Sequence, residues 1–193
     1  MMQRPKSSRS GRPARLAARS PEGPRRGKPL RAMVMAKRLC ADLPGNAASI
    51  RRLLLGPKPS IPKFSVLAAI SVETTERESV AFDKEGASLA VAFLRSRQRM
   101  LSLDCWMAGD LLGDHVHVSV GYPALTSLID SRIQPAAFRG AIHGLKMIYS
   151  RVDARKRRFI VGELKGLALL HGNRGVRVSA SVALYSLGEE SAG

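Results

Sequence analysis

The sequence predicts an α+β domain, a mostly antiparallel sheet carrying one main helix, preceded by a disordered basic arm. Three observations predict it. Apolar and polar residues alternate over several runs, the period of a half-buried strand. One stretch, Ser88–Met107, repeats its apolar residues at spacings of three, four or seven, the period of a helix. Residues 1–31 are rich in Arg, Pro, Ser and Gly and hold too little apolar surface to offset the entropy of ordering.

Taken in order, the arm comes first. Pro5, Pro13, Pro21, Pro24 and Pro29 interrupt any helix there. Met33 and Met35 open a more ordinary stretch, MVMAKRLCADL, and either is an alternative start to Met1. Asn46 is placed to cap a short helix through Arg51–Leu55, with Gly56 at its C′ position. Gly56–Pro62 (GPKPSIP) reads as a stiff, extended linker. The boundary falls there, giving an arm over 1–31, short helical segments and linker over 32–62, and an α+β domain over 63–193.

Lys63–Glu73 puts Phe64, Val66, Ala68, Ile70 and Val72 on one face and reads as a strand. Ser79–Phe82 reads as a second, with a turn at Asp83–Gly86. In the helix Ser88–Met107, Leu89, Phe93, Met100, Leu103 and Met107 form the buried stripe. Arg95, Gln98, Arg99 and Ser102 lie opposite, and Gly109 and Gly113 end the element. His115–Tyr122 alternates as a strand ended by Pro123, and Thr126–Ile133 makes a helical turn or two. The last third reads as a β-meander of Phe138–Arg151, Phe159–Leu170 and Val176–Leu187. Val176, Val178, Ala180, Val182 and Leu184 share a face of the last strand. His171–Gly175 supplies hairpin chemistry, and the other connection, Asp153–Arg158, carries a basic tip.

The charge is uneven. The 193 residues hold 32 Lys/Arg against 15 Asp/Glu, a net of +17. Residues 1–60 account for +13 of it and residues 61–193 for +4. Such an excess points to a polyanionic partner, RNA or a nucleocapsid on one hand and anionic lipid on the other. The candidate binding residues are Arg4, Lys6, Arg9, Arg12, Arg15, Arg19, Arg25, Arg26 and Lys28 in the arm. Arg155, Lys156, Arg157 and Arg158 join them in the domain. The second cluster also matches a nuclear-import-like basic run. Cys40 and Cys105 form no CxxC and fit a reducing, intracellular compartment. No apolar run approaches the roughly 18 residues of a spanning helix, so a soluble or peripheral protein is expected. An Arg-rich, acid-poor arm also suits an organellar transit segment, which the prolines oppose.

The chemistry-bearing motifs are few. His115 and His117 flank Val116, with Asp110 and Asp114 near, the minimum of a metal site. No third ligand is identifiable, so no metal and no cofactor are assigned. Asp104, Asp110, Asp114 and Asp130 show no acid–base spacing, and GxSxG, P-loop and GxGxxG motifs are absent. A non-enzymatic protein is expected. Tyr122, Pro123 and Leu125 make a YPxL segment, similar to the short late-domain motif by which some viral structural proteins recruit the host membrane-scission machinery. Pro123 would hold it extended for a groove.

The arm Met1–Arg31, the strand Lys63–Glu73, the helix Ser88–Met107 and the meander Phe138–Leu187 follow one another in an order that resembles matrix proteins of negative-strand RNA viruses, the rhabdoviruses in particular. The resemblance covers most of the chain as order of elements. It implies a virion protein that coats the nucleocapsid and binds the inner membrane leaflet, and self-association of the domain is expected beside it. PPxY and PTAP are missing from the arm, and YPAL lies inside the domain. A basic arm before a β-rich domain is equally the plan of small RNA-virus coat proteins. The expectation is therefore a structural or assembly protein. A cellular ribosomal or nucleoid-like protein and an organelle-imported protein are the alternatives.

Overall fold

The computed structural model describes residues 27–129 and 132–189. Among them there is no strand. The architecture is all-helical, which overturns the α+β expectation. Nine α-helices follow one another among the described residues: α1 (Gly27–Cys40), α2 (Leu43–Leu55), α3 (Lys63–Arg77), α4 (Val80–Arg95), α5 (Ser102–Asp110), α6 (Val118–Ile129), α7 (Pro135–Ile148), α8 (Ala154–Leu170) and α9 (Arg174–Ser186). A π-helical turn, Leu111–His115, prolongs α5, and a 3₁₀ turn, Tyr149–Arg151, prolongs α7. No helix among the described residues is long and apolar enough to cross a membrane.

Each supposed strand is a helix for a physical reason. In Lys63–Glu73 the residues between the alternating positions are buried too. Val66, Leu67, Ala69, Ile70, Glu73 and Thr74 all face inward, the spacing of a helix enclosed on most sides. Ser79–Phe82 and the turn Asp83–Gly86 together begin α4. Phe138–Arg151 buries Phe138, Ala141, Ile142, Leu145 and Ile148, and Phe159–Leu170 buries only Ile160 and Leu164. In Val176–Leu187 the buried set is Val176, Ala180, Ala183 and Leu184. Val178 and Val182, two of the five residues on the alternating face, are 53 and 58 % exposed. His171–Gly175 is a helix–helix connection in which the Asn173 side chain accepts from the Val176 N–H and caps α9.

The expected main helix is two. α4 stops at Arg95, and α5 starts at Ser102. Between them the Gln134 side chain donates to the carbonyls of Ser96 (3.1 Å) and Gln98 (2.9 Å), holding the break open. His115–Tyr122 gives way to α6, whose start is fastened by the Asp83 carboxylate accepting from the His117 N–H at 2.8 Å. Pro123 lies inside that helix and does not end it. α2 begins three residues before Asn46, capped by Asp42, and Asn46 reaches back to the Leu39 carbonyl at 2.9 Å.

Core side chains lie on both sides of Gly56–Pro62. Ala36, Cys40, Leu43, Ile50 and Leu54 on its N-terminal side belong to the same core as Val66, Phe93, Leu112 and Leu145, and Ile61 inside it is buried. α1 packs on α3 and α2 on α4. α7 runs through the middle, against α5, α6 and α9, and α8 rests on α9. The α5–α7 approach is unusually close. Gly109 and Gly113 on one side face Gly140 and Gly144 on the other, backbone to backbone. A Cβ at Gly144 would lie 2.6 Å from the Gly109 carbonyl oxygen, and one at Gly109 or Gly140 closer still to the opposite chain segment. The glycines expected to stop a helix are thus points of close approach.

Candidate functional site

α8 starts at Asp153, whose side chain accepts from the Lys156 N–H at 2.9 Å and from Lys156 Nζ at 2.7 Å. Those bonds hold its carboxyl well below the usual range, at about 2. The run Arg155–Arg158 is therefore the opening of a helix and not a hairpin tip. Its members differ sharply. Lys156 is tied to Asp153 and lies 5.6 Å over the Tyr122 ring. Arg157 donates to the carbonyls of Val152 and Ser150, both at 3.0 Å, and stacks over Tyr149. Neighbouring Arg151 spans the carbonyls of Gly113, Asp114 and Val116 and pins the π turn. Arg155 and Arg158 are exposed, and their side chains make no hydrogen bond or ion pair among the described residues.

These cations sit beside aromatic rings. Tyr122, Asp153, Arg155, Lys156 and Phe159 line a cleft of about 430 Å³. Phe159 is 46 % exposed, and burial pushes the Tyr122 phenol up, with Lys156 opposing. A helix N-terminus already carries partial positive charge, so basic residues in its first turn add to it. The result is a cationic surface in which Lys156 covers one face of Tyr122 and Phe159 is the exposed ring.

A second cluster lies between α5 and α7. Asp110 sits between His115 Nε2 (3.4 Å) and His143 Nε2 (3.5 Å). His115 Nδ1 meets Thr75 Oγ1 at 3.0 Å, and His143 stacks on Trp106 with centroids 5.5 Å apart. His117 is elsewhere, with Nδ1 on Ser119 at the start of α6. The two histidines thus diverge and do not share a face. Among the described residues no three His, Cys, Asp or Glu side chains group so as to hold a metal ion. Asp104 is buried, which raises its carboxyl, while Lys63 and the backbone N–H groups of Phe64 and Leu101 oppose the rise. Burial pushes the Cys40 and Cys105 thiols up to about 12, Glu73 adding to the first and Asp104 to the second. Neither is a thiolate at neutral pH.

Of the other predicted residues, Arg4, Lys6, Arg9, Arg12, Arg15, Arg19, Arg25, Arg26 and Asp130 lie outside the described residues. Lys28 falls in the first turn of α1. Tyr122, Pro123 and Leu125 form one turn of α6, with Leu125 fully buried, so the segment is helical and not the extended form that groove docking needs. The structure brings Tyr122 to the Arg155–Arg158 cluster, a meeting that nothing in the sequence announces. Phe159, directly after the basic run, is the one available signal, and the alternating pattern assigns it to a strand.

No family model, no curated protein and no solved structure matches this chain. The strand–helix–sheet order behind the matrix-protein resemblance is missing among the described residues.

Proposed function

We propose that this protein is a non-enzymatic binder of single-stranded nucleic acid, holding the phosphate backbone with basic residues and stacking bases on aromatic ones. The observation that carries the reading is the cleft at the start of α8. Arg155, exposed and with no side-chain partner among the described residues, lines it with Lys156, Tyr122 and Phe159, Asp153 being held by Lys156, and exposed Arg158 follows on the same helix. A cation that is free to meet phosphates, next to the exposed Phe159 ring, supplies the ingredients of sequence-tolerant single-strand binding. The eight Lys/Arg of residues 1–26 add long-range attraction. Nothing in the cleft reads base edges, so little sequence preference is expected.

The test is a binding titration across a salt series, with a short single-stranded RNA and with vesicles containing phosphatidylserine. RNA affinity should fall steeply with salt. Deleting residues 1–26 should flatten the slope, by about 0.7 in log–log terms for each phosphate left unneutralised. R155E/R158E should flatten it less. F159A should weaken binding by roughly 1–3 kcal/mol with the salt slope unchanged. If F159A and R155E/R158E bound RNA as wild type does, the α8 cleft would have no part in binding. A preference for vesicles would move the reading to an anionic membrane surface.

A further inference from the structure

A groove away from that cleft carries a different chemistry. Trp106 of α5, Ile142 of α7 and Val182 of α9 line a groove of about 350 Å³, with Arg139, His143 and Lys146 along the same walls. The floor is apolar and open to solvent, Trp106 being 53 % and Val182 58 % exposed. No carboxylate among the described residues lines it. The Asp110 carboxylate is 3.5 Å from His143 Nε2 and is not among the groove's lining. Arg139 Nη2 donates to Ser102 Oγ at 3.2 Å, but its Nε–H is buried without a hydrogen-bond partner. The Arg139 guanidinium therefore keeps donor capacity that Ser102 does not use.

We infer that this groove is a binding site for a small anionic amphiphile, its apolar body lying along Trp106, Ile142 and Val182 and its carboxylate or equivalent acid head meeting Arg139 and Lys146. Concave, mostly apolar walls with a few convergent polar groups are the usual form of a small-ligand site, and the volume is at the lower end of that range. The charge selects the occupant. Residues 1–26 carry eight Lys/Arg against Glu22, and a second copy of this face would bring the same cations, so both are repelled from the rim.

Trp106 is the chain's single tryptophan, so its emission reports on the groove directly. The experiment titrates the full chain with dodecanoate and dodecyltrimethylammonium, each below its micelle concentration, and with dodecanol below its solubility limit. Dodecanoate should change the emission saturably. The alcohol and the cation should bind at least about tenfold more weakly, since neither offers the charged acceptor of a charge-assisted hydrogen bond. K146Q should weaken dodecanoate several-fold and R139Q/K146Q further. V182D places a carboxylate on an already exposed position and should abolish the titration with the helical circular dichroism unchanged. Equal affinity for dodecanol would overturn the inference. So would a dodecanoate titration that K146Q and V182D both leave intact.

Discussion

Three aspartates fasten helix starts in this protein. Asp42 and Asp153 do so locally, and Asp83 reaches from α4 to the His117 N–H at the start of α6. Asp153 offers the cleanest test, because it is exposed and its effect follows from protonation alone. Its carboxyl sits at about 2, against 3.8 without partners. Its contribution is then complete above pH 3.8 and is lost as pH falls through 2. D153A should lower the melting temperature at pH 5, by an amount that salt reduces, and the deficit should close as the pH falls from 3.8 to 2. A deficit independent of pH would show that the charge is irrelevant. Single residues are the least legible part of the sequence. Leu103 reads as core and is 58 % exposed, whereas Gln98, which reads as surface, donates to the Leu54 carbonyl at 2.6 Å and accepts from Lys63. One cause explains both. The stripe runs across the break at Ser96, which resets the helical phase, and no local signal marks a break held by a distant glutamine.

At the scale of elements, the sequence shows where apolar segments lie but not their period. Six helices cover stretches that read as strands or turns, because evenly spaced Val, Ala and Leu satisfy both periods over short runs. The Ala, Leu, Lys and Arg content of Phe138–Leu170 is the signal that favours helix. Glycine misleads in the same way, reading as punctuation where it permits close approach. The prediction at this scale sets two helical glycines against each other. G140A drives a methyl into the Cys105 backbone on α5 and should destabilise by about 1–3 kcal/mol or more. G162A on α8 meets nothing within 4 Å and should be neutral or stabilise by up to about 1 kcal/mol. Urea unfolding curves measure both, and similar effects from the two would refute the close approach of α5 and α7.

For the whole molecule, the charge asymmetry is fully legible, since it needs only counting. The folded unit is not. A Pro-rich stretch suggests a linker, but Ile61 within it is buried, and α1 and α2 supply core side chains from beyond it. A fragment starting at Lys63 is missing Cys40, Leu43, Ile50 and Leu54 from the interior. Each large buried side chain removed costs about 2–5 kcal/mol, so the sum approaches or exceeds the roughly 5–15 kcal/mol of a typical fold. That fragment should show no cooperative thermal transition by circular dichroism. A sharp melt would restore the linker as a true boundary. Where α5 and α7 meet through Gly109, Gly113, Gly140 and Gly144, folding freezes no rotamer, because glycine has none. At those four positions the contact forms without loss of side-chain freedom, at the cost of the larger backbone entropy that glycine gives up on folding.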